Sequence, residues 1–452
     1  MVKFPDEIIK ETEERSSEVH KATNHKKRIK IGRFLRILGP GIVTGAADDD
    51  PSGIATYSQA GAQFGFKLPW TMIFTFPLMT AVQEACMRIG AVTGKGLAAV
   101  VKDHYSKKIL YPVVLLVVVA NTLNIGSDIG AMAASTELIF PKLPFAFLAI
   151  LIALIIIVAE VLIPYRVYIR ILKWLAMALF AYFITAFLVN VPWLNVLKAS
   201  LIPKIEFNST FLYIIVGIFG TTISPYLFFW QTSNVVEDEI ADHRLSLKKG
   251  VPNLTKNYLK KLRIDTIIGM FFSNISAWFI IIVGAVVLNH AGIFNINTAA
   301  DAARALEPLV NTFPNAGFWA KLIFAVGVIG IGLQAIPVLA GSSAYAVAET
   351  FNWKEGLYRK FKQSRNFYLV IILGTLIGLI FNFVGFDPIK ALVFTAVFNG
   401  IAAVPLIYLI TRVSSREDVM GEHKSKALSK TLLWISFVVM GIFGAALIIS
   451  LF

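Results

Sequence analysis

The stretch GAADDDPSGIATYSQAGAQ, Gly45 to Gln63, decides how the rest of the chain is read. It lies inside the first long apolar segment. Asp48, Asp49 and Asp50 stand in a row and are followed by Pro51, Ser52 and Gly53. A charge at membrane depth is costly, so it marks a function. Pro and Gly together break a helix, and broken helices inside membranes line cavities. The segment therefore reads as half of a cation site. The other half is a second break, at Ser224-Pro225.

Composition sets the frame. The chain has 452 residues, 56% of them hydrophobic and only 15% charged. A soluble domain carries about 25% charge. The mean hydropathy is +0.70. Apolar runs repeatedly reach the roughly 20 residues that span a bilayer. They are continuous rather than alternating, which excludes a transmembrane β-barrel. The net charge of +14 falls between the apolar runs, so loop orientation explains it better than nucleic acid does. The one cysteine, Cys86, lies in an apolar run and forms no disulfide framework. The polar first thirty or so residues lack the apolar core of a signal peptide and read as a cytosolic tail.

The fold class expected is an all-α polytopic membrane protein with about eleven spans. They fall at 34–65, 68–90, 109–138, 144–163, 170–191, 209–236, 262–288, 318–350, 367–385, 388–411 and 431–451, the first and sixth being broken. Basic residues crowd the N-terminal tail and every second connection, as with Lys102 and Lys107, Arg166 and Arg170, or Arg359 and Arg365. The intervening connections hold few. The bias places the N-terminus in the cytoplasm and the C-terminus outside. Breaks in spans one and six are where a five-plus-five inverted repeat puts equivalent helices. The expected organisation is a tail over 1–33 and one transmembrane domain over 34–452. Within it 34–191 is the first repeat, 209–411 the second, and 431–451 an additional helix.

Successive helical residues point about 100° apart, so the three aspartates cannot all face one site on a helix. Asp50 touches Pro51, where the helix unwinds and carbonyls are freed. A carboxylate beside free carbonyls is a hard-oxygen cation site. The alternative is that the aspartates pair with basic residues or face a vestibule. At the second break, Gly220 to Asn234, Pro225 frees an upstream carbonyl while Thr221, Thr222 and Ser224 supply hydroxyls. The alternative there is a plain proline kink with hydroxyls bonded back to the helix. Asn121, Asn124 and Asp128 share a face of the third span, either lining a pathway or bonding between helices. Glu84 is spaced to pair with Arg88. Gln334, Asn399 and Asn274 are intramembrane polar residues that serve as interhelical bonds or as lining. All six histidines lie outside the spans or at their edges, so no midplane proton relay is visible.

These residues resemble a known family. GPG at Gly39 to Gly41, DPSG at Asp50 to Gly53 and QAGAQFGFKLPW at Gln59 to Trp70 are similar to the first helix and following loop of NRAMP divalent-metal transporters. GTTISPY, Gly220 to Tyr226, is similar to their sixth-helix motif GATIMPH, and RIGAVTGKGLA, Arg88 to Ala98, to their second-to-third connection. The resemblance covers about ten spans and implies a LeuT-type fold. It also implies Asp50 as metal ligand. The departures narrow the expectation. Gly53 replaces the family's asparagine, Ser224 its methionine and Tyr226 its histidine. Asn121 and Ala131 replace two acids tied to proton transfer, and only Asp128 keeps its carboxylate. Losing a thioether removes the preference for softer metals. A roomier all-oxygen site suits Mg²⁺, which dehydrates reluctantly. The pattern is most similar to the prokaryotic NRAMP-related magnesium transporters.

The expectation is a carrier for Mg²⁺ and Mn²⁺ as substrates, with no resident cofactor and no proton coupling. Asp50, Gly53, Thr222 and Ser224 would form the metal site. Asp49, Asn121, Asn124, Asp128, Tyr226, Gln334 and Asn399 would line the pathway. The partners expected are the divalent ion and the lipid bilayer of the cell membrane, with no nucleic acid and no protein. One rival is a proton-coupled Mn²⁺/Fe²⁺ symporter using Asp128 and Glu84. Another is an amino-acid carrier on the same fold, against which three adjacent aspartates speak. A sensor without transport is a third. No nucleophile–base pair points to an enzyme.

Overall fold

Asp50 and Pro51 start the first described helix for clear reasons. Proline's fixed φ suits the first helical turn, and an aspartate accepts the orphan amide there. The computed structural model describes residues 45, 48–163, 180–241, 252, 254–357, 359–385 and 387–451. The N-terminal tail, Gly39 to Gly41 and the basic residues Arg166, Arg170, Lys173, Arg244 and Lys248 lie outside them.

The helices of eight residues or more, in chain order, are α1 (Pro51–Phe64), α2 (Trp70–Thr93), α3 (Leu97–His104), α4 (Lys107–Glu137), α5 (Phe145–Leu162), α6 (Phe180–Leu188) and α7 (Trp193–Leu201). There follow α8 (Ser209–Thr222), α9 (Pro225–Ala241), α10 (Lys256–Val283), α11 (Ala316–Phe351), α12 (Arg365–Phe381), α13 (Pro388–Ser414) and α14 (Ala427–Ser450). Seven helical spans among the described residues are long and apolar enough to cross a membrane, the α8–α9 pair counting as one.

Most of the first expected span before Asp48, and the fifth before Phe180, lie outside the described residues; the second, third, fourth, eighth, tenth and eleventh are matched within about a turn at each end. Three differences have local causes. Pro192 closes the fifth span early, and α7 forms separately behind it. The seventh span starts at Lys256 because the Thr255 side chain accepts from the Tyr258 amide. It continues into a π-helical turn, Gly284–Asn289, packed against α1.

The two broken helices sit side by side. Helix α1 packs on α8, α10 and α13, and α4 packs on α11 and α13. Glu84 meets Arg88 at 3.2 Å, as its spacing predicts, and also Arg263 of α10 at 3.0 Å. Arg88 donates further to the His423 carbonyl at 2.8 Å and the Ser425 hydroxyl at 2.9 Å. That cluster ties α2, α10 and the segment before α14 at one end of the bundle. In the loops, the Lys67 ammonium bonds Glu206 at 2.5 Å and holds that carboxyl below its ordinary range.

Close helix crossings depend on glycine, because small residues let membrane helices approach. A Cβ on Gly378 of α12 would stand 2.9 Å from the Gly126 amide nitrogen and the Thr122 carbonyl oxygen of α4. These are backbone atoms and cannot swing aside. Gly378→Ala is therefore expected to destabilise the protein by about 1 kcal/mol, the lower end of overpacking costs. A lowered melting temperature in detergent checks this, and an unchanged one contradicts it.

Candidate cation site

Asp50 is the hub. Its backbone is extended (φ −73, ψ 172) between Asp49 and α1, and its carboxylate caps the helix. Oδ1 accepts from the Ser52 hydroxyl at 2.5 Å and the Gly53 amide at 2.8 Å. Oδ2 accepts from the Asn124 side-chain amide of α4 at 2.6 Å. Asn399 of α13 donates to the Asn124 oxygen at 3.4 Å. A chain of side chains thus runs from Asp50 through Asn124 to Asn399. All three residues are at most 1% exposed.

Gly53 presents its amide hydrogen to Asp50. A Cβ there would stand 3.2 Å from the Tyr57 ring and 3.7 Å from Asp50 Oδ1. Its smallness therefore leaves room beside the carboxylate.

At the second break, Ile223 (φ −119, ψ 61) ends α8 and Pro225 begins α9. Pro225 has no amide to offer the Thr221 carbonyl. The Ser224 hydroxyl fills that role, its one hydrogen shared between the Thr221 carbonyl at 2.9 Å and the Gly220 carbonyl at 3.0 Å. The carbonyl expected to be free is thus engaged. Thr222 likewise donates back to Ile218 at 2.9 Å. Both hydroxyls keep lone pairs, since a hydroxyl that donates still accepts. Tyr226 is fully buried one residue past the proline, and Asp50, Asp48 and Asp128 all act electrostatically on it.

The remaining lining residues separate. Asp128 of α4 is fully buried, feels the charge of Asp50, and neither of its oxygens has a hydrogen-bond partner. Gln334 Oε1 of α11 and Asn399 Oδ1 are also buried without partners. Asn121 points elsewhere: its amide bonds the Leu339 carbonyl at 3.1 Å and the Ser342 and Ser343 hydroxyls at 2.8 Å. It joins α4 to α11, the interhelical alternative. Asn274 does the same for α10 and α2, donating to the Met72 carbonyl. Asp49 approaches the Ser273 hydroxyl of α10, as does Asp48.

Ser52, Ser273 and Tyr57 carry weight that sequence reasoning missed. The signal for Ser52 was present, since Ser at the second position after an aspartate cap reaches back to it. Among the described residues no Lys, Arg or His pairs with any of the three aspartates. Nor do three His, Cys, Asp or Glu side chains converge as a metal cage. The donor atoms these residues carry are oxygens: the Asp50 carboxylate, the Thr222 and Ser224 hydroxyls and the Asn399 side-chain oxygen. That set suits a hard cation and not a soft one.

Comparison with known proteins follows from this geometry. Residues 41–450 match the family described as natural resistance-associated macrophage protein-like, Nramp. A protein named divalent metal cation transporter MntH from Staphylococcus aureus (strain JH9) is 24% identical over 448 residues, covering 96% of this chain and 94% of that one. The solved structure of an Eremococcus coleocola manganese transporter superposes with a TM-score of 0.70 at 16% identity, over 92% of this chain and 88% of that one. MhsT in complex with L-phenylalanine gives 0.60 at 12% identity, over 91% and 98%. At these identities the structural likenesses speak for the shared LeuT-type fold alone.

Proposed function

Because the chain belongs to the Nramp family, matched over residues 41–450, we propose that it is a multi-pass carrier that moves Mg²⁺ and Mn²⁺ across a cell membrane by alternating access, without coupled protons. Asp50 is the charged ligand, and Ser224 and Thr222 contribute hydroxyl oxygens. Tyr226, Asn124, Asn399 and Asp128 line the path. The N-terminus lies in the cytoplasm, and an inside-negative potential drives cation uptake, by about 2.3 kcal/mol per charge per 100 mV.

One observation carries the choice of ion: acceptors outnumber donors around Asp50. Asp50 already receives three donors, which leaves about one of a carboxylate's four lone-pair sites. Asp128 Oδ1 and Oδ2 and, beyond Asn124, Asn399 Oδ1 are buried acceptors with no donor. Buried polar groups are satisfied as a rule, by protein or by water. An ion that keeps its waters supplies O–H donors to such acceptors. Mg²⁺ is the biological divalent ion that usually keeps several waters. The names of the relatives support a divalent metal, and one of them names manganese.

A second reading has its own support. Asp128 is a buried carboxylate without a partner, which also suits a proton carrier in a Mn²⁺ symporter. Influx into proteoliposomes separates the two. With a metal dye and a pH dye inside, Mn²⁺ influx suppressed by external Mg²⁺ without acidification is expected. Influx accompanied by acidification and indifferent to Mg²⁺ would return the protein to the coupled reading.

A further inference from the structure

The connection between the fifth and sixth spans holds a helix that no span accounts for. Helix α7 has nine residues, about 13 Å of helix. A crossing needs roughly 20 residues. The chain has no length to carry α7 far from the bilayer either. From Leu188, the end of α6, to Trp193, the start of α7, five residues reach at most about 18 Å. The next span begins at Ser209. Helix α7 therefore lies at the membrane face where α6 ends and α8 begins.

Its residues divide three ways around the helix axis. Val196 is fully buried and packs with Ile282 of α10 and Phe66 of the α1–α2 turn. Ser200, also buried, accepts from the Trp278 indole of α10 at 2.9 Å. Leu194, Leu197 and Leu201 turn away from the protein, 67%, 51% and 64% exposed. At 100° per residue they fall within about 60° of one another. Asn195 and Lys198 are exposed too, and they centre roughly 110° further round the axis. Apolar residues exposed singly are ordinary, but a contiguous row marks an interaction site.

Continuity identifies what covers the row. Phe187 and Leu188 end the fifth span and are exposed on its lipid side. The Trp193 ring lies 5.4 Å from that of Phe187 and 6.4 Å from that of Trp278, so aromatic surface leads from α6 into α7. Tryptophan gathers at membrane–water boundaries. Lys198 stands beside the leucine row, where a long cationic side chain snorkels to headgroups.

We propose that α7 is an interfacial helix seated in one leaflet of the bilayer. Leu194, Leu197 and Leu201 enter the acyl chains, Asn195 and Lys198 face headgroups and water, and Val196 and Ser200 hold the protein. Such a helix lies in the membrane plane with its apolar face about 5–10 Å into the headgroup–acyl boundary. Ser200 ties it to α10, and Glu206, bonded to Lys67, ties the segment after it to the α1–α2 turn. The helix thus anchors both to the bilayer surface.

Nitroxide labels on the full chain in lipid nanodiscs test this. Cys86 is buried, so Leu197→Cys, Leu201→Cys and Asn195→Cys each place one label. Collisions with oxygen, which concentrates in lipid, are compared with collisions with a water-soluble nickel chelate. Leu154→Cys, exposed midway along α5, gives the oxygen-to-nickel ratio of lipid, and Glu422→Cys, exposed in a loop, gives that of water. Both leucine positions are expected nearer the lipid ratio, and Asn195→Cys nearer the water ratio. Should either leucine variant fail to fold, Leu194→Cys replaces it with the same expectation. Leucine positions nearer the water ratio overturn the proposal. Leucine positions reached by neither reagent overturn it as well, since protein then covers the row, as in a dimer of this chain. All labels at the lipid ratio, Asn195→Cys included, mean full immersion and overturn the interfacial placement.

Discussion

Replacing Asp50 by asparagine is expected to abolish metal uptake while the protein still folds. The two halves of that statement have different causes. Asparagine caps a helix about as well as aspartate does, so α1 keeps its start. Its side-chain oxygen still accepts from Gly53 and Ser52. What is lost is the charge, together with the hydrogen bond from Asn124, since an NH₂ stands where Oδ2 accepted. Breaking a buried ion pair by removing one partner costs about 3–5 kcal/mol, on the order of 10²- to 10⁴-fold in an equilibrium constant. Neighbouring Asp128 does not substitute, because it lies on another helix and offers no cap geometry. Asp50→Ala is expected to lose uptake equally and stability in addition, by about 1 kcal/mol for the cap. Metal-dye influx into proteoliposomes reads the first effect, and melting in detergent reads the second. Uptake by Asp50→Asn within tenfold of the unaltered protein would sink the assignment of Asp50.

The fold was legible because its determinants are local. Long apolar runs announce the spans, and Asp50-Pro51 and Ser224-Pro225 announce both breaks through chain chemistry alone. The site was legible only in part, because it depends on which residues meet across helices. Asn121, Asn124 and Asp128 share one face of α4, yet they divide between different neighbours. Asn121 and Asp128 differ by seven residues, about 10 Å along the helix axis. Height therefore decides the division: Asn121 reaches Ser342 and Ser343 of α11, while Asn124 reaches Asp50. Ser273 stands in an apolar run of α10 with nothing local to mark it, and only the fold brings it to Asp48. The hydroxyls at the second break show how two readings of one motif coexist. Ser224 bonds back to the helix, as a plain kink requires, and keeps lone pairs with which, in the proposed site, it would also hold an ion.

That double role of Ser224 makes Ser224→Met the sharpest test of ion choice. Methionine removes the donor that satisfies the Thr221 carbonyl, which Pro225 leaves without an amide. It also places a thioether where the hydroxyl stood. Sulfur gives Mg²⁺ nothing, because that ion takes oxygen ligands and holds its waters. Softer ions gain a ligand, and Cd²⁺, softer than Mn²⁺, gains more. The ratio of Mn²⁺ to Mg²⁺ recognition is therefore expected to rise at least tenfold, about 1.4 kcal/mol or more of differential binding. It is read as the Mg²⁺ concentration that halves Mn²⁺ influx, which should increase by that factor. Ser224→Ala isolates the sulfur from the lost hydrogen bond. It opens the Thr221 carbonyl in the same way but adds no thioether, so its Mg²⁺ competition should stay near that of the unaltered protein. If the alanine variant shifts as far as the methionine variant, the carbonyl and not softness sets the selectivity. If neither shifts, ion choice is made away from the second break, and the oxygen-only reading of this site falls with it.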